Sequence, residues 1–383
     1  MQGVSKTFTA GIRLISPDAD AALNARQDMR NWLQAQQLHQ VQETAWPTKG
    51  SAQAWSFALP PELLQAWTPD HDTLGLQDRL RLEDSAQPPS LAREILVAML
   101  ASPHGFDFPS VAALASHIRV RQHIALAAQK TALAFKTEAA ERPACYWRDG
   151  GDEHGFVLQP GRCLVDALIA ATQPDATGRL YDFSCYRATE YVILLGIALE
   201  LKTHHPALLA DLQMLNETHA VRSGQFHYVY LVEYGSMADA LPAHYYVPGD
   251  RLWFRNPDER SSDVMGYEGS WVIYMGGGLF SNFWERDRPY TLESKAIEIY
   301  HWRDGAYTDA QGHWHMDETQ VERHVRQTCA DPKAKARVLQ RMLRLRDPQG
   351  LYAEGGCIDR TREYPRGVSP QHCELVLPVY ETT

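Results

Sequence analysis

Cys185 is the residue of this chain whose type and surroundings best suit chemistry. It lies in residues 181–190, a short polar turn that leads into residues 191–199, which are apolar on every face. A helix that is apolar all round is typically buried. Ser184 is a good N-cap residue, so a helix beginning there would place Cys185 in its first turn, where free backbone N–H groups and the helix dipole favour a thiolate. The segment suits a nucleophilic thiol, but taken alone it fits a buried structural cysteine at a helix start better.

Five blocks of the chain, in order, resemble one known family. Residues 242–257 carry His244, two aromatic residues and then the run GDRLWFRNP. This pattern resembles a block in the bacterial protein-glutamine gamma-glutamyltransferases of the spore-coat type. The other blocks are residues 106–112 (FDFPSVA, followed by Arg119 and Arg121), 146–148 (YWR), 183–185 (FSC) and 271–276 (WVIYMG). The resemblance spans residues 106–345, and we recognise no counterpart for the first 100 residues or the last 35 or so.

The resemblance implies both a fold and a reaction. The family has an α+β, papain-like cysteine transferase core, in which the nucleophile helix packs on an antiparallel sheet. It joins glutamine side chains to lysine amines without calcium. We therefore expect Cys185 to attack a glutamine of a protein substrate, form a thioester and pass the acyl group to an amine acceptor, with no cofactor and no metal.

Three departures from the family pattern bear on the mechanism. Ser184 stands where the family has an acidic residue before the cysteine, and Ser270 stands where it has its catalytic glutamate. Asn282 stands where the family has a histidine, and its amide can orient or donate but cannot take a proton. Glu268 lies two residues before Ser270, on the same face of an extended chain but displaced by about 6.5 Å.

Two residues therefore compete to activate Cys185. His244 would form a thiolate–imidazolium pair, oriented by Asn256, Asp250 or Asn282. Glu268 would need a bulge or a one-residue shift to replace the missing glutamate. Their alternative roles are a strand-edge histidine and a solvated loop carboxylate, and Asn282 could be only a turn former. The candidates for substrate contact are Ser184, Asn256, Phe283 and Trp284, although the aromatic pair could also be core.

Two other functions remain open at this point. If water replaced the amine, the same thiol would make the protein a glutamine deamidase or a protease-like hydrolase, such as an effector or toxin acting on another protein. If the missing carboxylates at Ser184 and Ser270 abolished the chemistry, the chain would be a binding module.

The elements that must position these residues follow an α+β order. The patterns predict a strand over residues 6–16, helices over 17–38, 91–100, 109–135 and 317–345, and strands over 227–234, 251–255, 271–275 and 296–302. Residues 60–89 read as a loop. We expect an N-terminal α+β extension (residues 1–100), a catalytic domain (101–345) and an irregular tail (346–383).

The composition of the chain argues against two classes of binding partner, nucleic acids and membranes. The net charge of −10 argues against a nucleic-acid surface, and no apolar run is long enough for a membrane span. The start of the sequence lacks a secretory signal, so we expect a cytoplasmic protein, with export as an effector as the alternative. The six cysteines include no C-x-x-C pair, and Cys357 could pair with Cys373 only after export. His313 and His315 have ligand-like spacing but read as a surface hairpin. The oligomeric state is left open.

Overall fold

A computed structural model of the chain describes residues 10–48, 52–82, 87–135, 140–150, 155–220, 223–350, 352 and 354–378. The α-helices of this described part are α1 Ala19–Ala35, α2 Pro61–Trp67, α3 Leu76–Arg79, α4 Pro88–Leu100, α5 Val111–Lys130, α6 Leu164–Thr172, α7 Cys185–His204, α8 Pro206–Thr218, α9 Ser223–Tyr230, α10 Glu259–Ser262, α11 Leu292–Gly305, α12 Glu318–Ala330 and α13 Pro332–Met342.

The strands of the described part are short. They are β1 Ile12–Ser16, β2 Gln42–Trp46, β3 Gln53–Ala58, β4 Phe106–Phe108, β5 Ala134–Phe135, β6 Trp147–Asp149, β7 Phe156–Leu158, β8 Asp182–Phe183, β9 Leu231–Tyr234, β10 Arg251–Arg255, β11 Gly269–Gly276, β12 Leu279–Phe280, β13 Tyr290–Thr291, β14 Ala306–Thr308, β15 Trp314–Met316, β16 Arg362–Pro365, β17 Val368–Ser369 and β18 His372–Cys373. The protein is therefore α+β, as expected.

The N-terminal sheet has the order β2-β3-β1-β4 and packs against α1. The predicted first strand and helix are confirmed as β1 and α1, except that residues 6–9 lie outside the described part. The edge strand β4 comes from beyond residue 100 and runs parallel to β1, with Ile12 opposite Phe106. This pairing joins residues on both sides of the predicted boundary at residue 100. The division into a 1–100 extension and a 101–345 domain therefore stays a prediction.

A six-stranded antiparallel sheet forms the centre of the molecule, with the order β13-β12-β11-β10-β16-β9. Helices α5 and α7 pack against each other and against β11. They approach closely at Gly196, where an added Cβ would lie 2.4 Å from the Ile124 side chain. The apolar run of residues 191–199 is thus the buried helix that the sequence predicts, and it places Cys185 beside the sheet.

The turn between β11 and β12 depends on three consecutive glycines. Gly276, Gly277 and Gly278 all have positive φ, between +59° and +91°, a region that other residues rarely adopt. The buried carboxylate of Glu94 on α4 accepts the Gly277 N–H at 2.9 Å. This glycine turn is therefore held in place by a helix from the N-terminal part of the chain.

Four secondary-structure predictions need correction. Residues 296–302 are helical, because Thr291 and Ser294 form a reciprocal capping box and the apolar residues of α11 are buried at helical spacing. Residues 227–230 belong to α9, so only the end of the predicted strand is β9. The 60–89 loop contains α2 and α3. The tail predicted as irregular supplies β16, which lies between β10 and β9.

Other predictions are confirmed. Strands β10 and β11 and helices α4 and α5 lie where expected, and the 317–345 helix is split at Asp331, which caps α13. All six cysteines are free, with Cys357 buried and Cys373 exposed. No helix in the described ranges is both long and apolar enough to cross a bilayer.

Candidate active site

Cys185 lies at the helix start that the sequence predicts. Strand β8 ends at Phe183, Ser184 has extended backbone, and α7 begins at Cys185. The Ser184 hydroxyl accepts the Arg187 N–H at 3.3 Å, which makes Ser184 the N-cap of α7. Cys185 as a whole residue is half-buried. Ser184 therefore acts in this structure as a helix cap, a role that explains its residue type.

The Cys185 sulfur accepts a hydrogen bond from the backbone N–H of Trp271 in β11. Backbone groups two residues apart in a strand point to the same edge, and the N–H of Ile273 on that edge donates to Ser281 Oγ at 3.0 Å. Strand β12 pairs with Tyr274 and Gly276 and does not extend as far as Trp271. The Trp271 N–H therefore has no partner in β12 and can donate to the thiol.

Several groups act on the pKa of Cys185, and burial has the largest effect. Burial raises this pKa above its usual value, and the negative charge of Glu268 raises it too. The Trp271 N–H, the Lys295 ammonium and the Tyr186 N–H lower it, in that order of importance. Since the pKa stays raised, Cys185 is a neutral thiol at pH 7 and needs a group to take its proton.

Lys295 supplies a positive charge that the sequence did not reveal. It lies on the buried face of α11, is only 2% exposed, and places Nζ 3.1 Å from Glu298 Oε1. The ammonium also lies 4.0 Å from the centre of the Tyr290 ring. A lysine on the apolar face of a predicted helix would indicate a buried positive charge. Because the pattern of residues 296–302 predicts a strand, the sequence does not reveal the helix and therefore does not reveal this position of Lys295.

Glu268 lies just before β11 and lines a surface pocket. Its backbone carbonyl accepts the Asn256 N–H at 3.0 Å, and its exposed carboxylate accepts the Gly266 N–H at 3.3 Å. The pocket measures about 260 Å³ and is lined by Trp253, Arg255, Asn256, Ser262, Asp263, Glu268, Arg346, Gly350 and Tyr352. Because Trp253 stacks on Trp271, the pocket wall is continuous with the strand that contacts the thiol.

The sequence profile of the protein-glutamine gamma-glutamyltransferase family matches residues 75–353. The chain belongs to this family. The match begins before the first block recognised in the sequence and includes α4, whose Glu94 holds the glycine turn. Among curated proteins no relative matches the chain. Family membership implies a protein substrate that presents a glutamine side chain.

The family-like block at residues 242–257 is largely structural in this member. Asp250 and Arg121 form an ion pair at 2.8 Å, and both side chains are fully buried. Tyr234 donates its hydroxyl to the other Asp250 oxygen at 2.5 Å, and the Val247 N–H donates to the same oxygen at 2.8 Å. Asp250 is thus committed to joining α5 to the sheet, and the structure does not bring it to His244.

His244 lies in the turn before β10, next to Thr73. Its backbone carbonyl accepts the Thr73 N–H at 3.1 Å, and its side chain is half-buried. Within the described ranges, no hydrogen bond or ion pair involves its imidazole. The charge of Glu268 acts on the pKa of Cys185, which favours Glu268 as the partner of the thiol. A catalytic role for His244 stays a prediction.

The two candidate asparagines hold loops together. Asn256 donates to Ser261 Oγ and to the Tyr267 carbonyl, both at 2.9 Å, and accepts the Asp258 N–H. Asn282 donates to the Arg288 carbonyl and accepts the N–H groups of residues 284 and 285. Both amides are buried and use their donors and acceptors on backbone or neighbouring side chains. Catalytic or substrate-binding roles for them stay predictions that these contacts do not favour.

The two candidate aromatic residues differ. Phe283 is 2% exposed and belongs to the core around α7, so its side chain acts as packing. Trp284 is partly buried and its ring lies 4.9 Å from that of Phe135, which in turn lies 6.4 Å from Tyr267. Phe135 is in β5, paired with Phe183 of β8 just before Cys185. Of the two, Trp284 is better placed to contact a substrate.

Proposed function

We propose that this chain is a protein-glutamine gamma-glutamyltransferase in which Cys185 is the nucleophile. The observation that carries the proposal is the hydrogen bond from the Trp271 N–H to the Cys185 sulfur at the start of α7. A carbonyl attacked by this sulfur needs donors for its developing oxyanion, and backbone N–H groups are the usual ones. Those of Trp271 and Tyr186 both already contact the thiol. The papain-like arrangement rests on α7 packing against an antiparallel sheet.

The first half of the reaction consumes the amide. The Cys185 thiol gives its proton to the Glu268 carboxylate while the Lys295 charge stabilises the thiolate. The sulfur bonds to the γ-carbonyl carbon of a substrate glutamine. The C–N bond then breaks, the nitrogen takes a proton from Glu268, and ammonia leaves behind a thioester.

The second half releases the product. A primary amine attacks the thioester carbonyl and loses a proton to the Glu268 carboxylate. The C–S bond breaks, the sulfur recovers a proton, and an isopeptide bond remains. Glu268 is thus proposed to replace the glutamate that the family has at the position of Ser270.

The test is incorporation of a fluorescent primary amine into a glutamine-containing protein such as casein. The wild type should label the substrate, Cys185→Ala should not, and Cys145→Ala, which removes an exposed thiol, should match the wild type. Equal labelling by Cys185→Ala would refute the nucleophile. Ammonia release without amine incorporation would show that the protein is a deamidase. If neither ammonia release nor amine incorporation occurs, the protein is a binding module.

A further inference from the structure

The contact between α11 and α12 contains a cluster of side chains that the acyl transfer does not use. His301 and Asp304 lie on α11, and His324 lies on α12. One potential ligand atom from each residue lies within 4.8 Å of the others. The rings of His301 and His324 are nearly parallel, with an interplanar angle of 22° and centroids 5.7 Å apart. Two imidazoles and a carboxylate form a ligand set that suits zinc.

The hydrogen bonds of His301 prepare it for a metal. Its Nε2 lies 2.7 Å from Thr328 Oγ1, and its Nδ1 lies 2.6 Å from Asp304 Oδ2. In the metal-free protein Nδ1–H donates to the Asp304 carboxylate; zinc would displace this proton, and Nε2–H would then donate to Thr328. Metal-bound histidines usually donate their other ring nitrogen in this way, which fixes the tautomer and the ring orientation. Thr328 is buried and supplies that partner.

The position of the cluster also favours a cation. Asp304 is in the last turn of α11 and His301 lies just before that turn, near the negative end of the helix dipole. The His301 side chain is 7% exposed and that of Asp304 is 34% exposed, so the cluster is anchored inside and open to solvent on one side. Two ligands on a tetrahedral zinc lie roughly 3.3 Å apart, given bonds of about 2.0 Å. The observed separations can reach this value through small side-chain movements.

We propose that His301, Asp304 and His324 bind one zinc ion, with water as the fourth ligand. The ion would join α11 to α12 and fix the helix that carries Lys295. This structural role is independent of the acyl-transfer proposal, because none of the three zinc-binding side chains acts on Cys185. The cluster differs from the His313 and His315 pair, which lies on the β14–β15 hairpin and shares Asp309 at 3.5 and 2.9 Å.

The experiment is a zinc titration of the full chain after chelator treatment, followed by calorimetry and thermal unfolding. The wild type should bind one equivalent and unfold at a higher temperature with zinc. Thr328→Val should weaken binding by about 10- to 100-fold, and His324→Ala by more than that. The matched control, His313→Ala with His315→Ala, should bind zinc like the wild type.

His324 is only half-buried, so its variant should fold, and circular dichroism without metal checks this. The proposal is wrong if the wild type takes up no zinc. It is also wrong if folded His324→Ala binds zinc as tightly as the wild type, or if the hairpin variant is the one that loses binding.

Discussion

The Trp271 N–H donates to the Cys185 sulfur because β12 does not extend along this part of β11. A backbone donor at an unpaired strand position needs an acceptor, and the first turn of α7 supplies the thiol. At this position the charges of Lys295 and Glu268 act on the sulfur, and a second backbone N–H, that of Tyr186, faces it. Strand pairing and the reactivity of the thiol are therefore linked.

The pKa of Cys185 should respond in opposite directions to two substitutions. Lys295→Met removes a charge that lowers this pKa and should raise it further, whereas Glu268→Gln removes a charge that raises it and should lower it. The two labelling curves should therefore move to opposite sides of the wild-type curve. The measurement is the pH dependence of iodoacetamide labelling, read on the Cys185 peptide by mass spectrometry.

Lys335→Met is the control for that experiment. Lys335 lies on α13 and pairs at 2.7 Å with Glu293, which is on α11 like Lys295. Lys335 is more exposed than Lys295, and it is not among the groups that act on the pKa of Cys185. Its labelling curve should overlay that of the wild type. Shifts of the same sign in the Lys295 and Glu268 variants would contradict the electrostatic description of the site.

Arg251 should be important for stability. Its guanidinium is buried between the rings of Tyr186 and Trp271, and it donates to Thr189 Oγ1 and to Glu363, both at 2.9 Å. Arg251→Met leaves these acceptors without their partner and should lower the free energy of unfolding by about 3–5 kcal/mol. Urea unfolding measures the loss. Arg286→Met, which breaks an exposed pair with Asp175, should cost less than about 1 kcal/mol.

Stability should depend on pH through His227. Its Nδ1 lies 2.8 Å from Glu363 Oε1, and this bond raises the pKa of His227. The contribution of the pair is therefore complete below the unfolded pKa of about 6.5 and is lost as the pH rises through the folded pKa. His227→Gln should lower the free energy of unfolding by up to about 1 kcal/mol at pH 6 and by less at pH 8. The exposed His39, changed to glutamine, should show no such trend.

Gly249 should not tolerate a side chain. Its φ is +87°, and a Cβ there would lie 2.9 Å from the backbone of Arg121. Gly312 has nearly the same φ, +86°, but open space around it. Gly312→Ala should cost about 1–2 kcal/mol from backbone strain alone. Gly249→Ala should cost about 1–3 kcal/mol more because of the overlap, and equal melting temperatures for the two variants would refute this.

The sequence by itself determined the local features of this protein. The polar turn before an apolar run predicted that Ser184 caps α7 and that Cys185 follows it, since capping and burial periodicity are properties of adjacent residues. Alternating apolar residues predicted β10 and β11. The five blocks predicted the family, and the profile match confirms it.

Only the tertiary structure decided which groups surround the thiol. Trp271, Glu268 and Lys295 follow Cys185 by many residues, and β-sheet pairing and helix packing bring them close enough to act on the pKa of the thiol. Local periodicity carries no information about such contacts, and for α11 it even predicted the wrong element. The structure also assigned Asp250, Asn256 and Asn282 to hydrogen bonds that hold the fold, because a buried polar group must find its partner wherever packing places it.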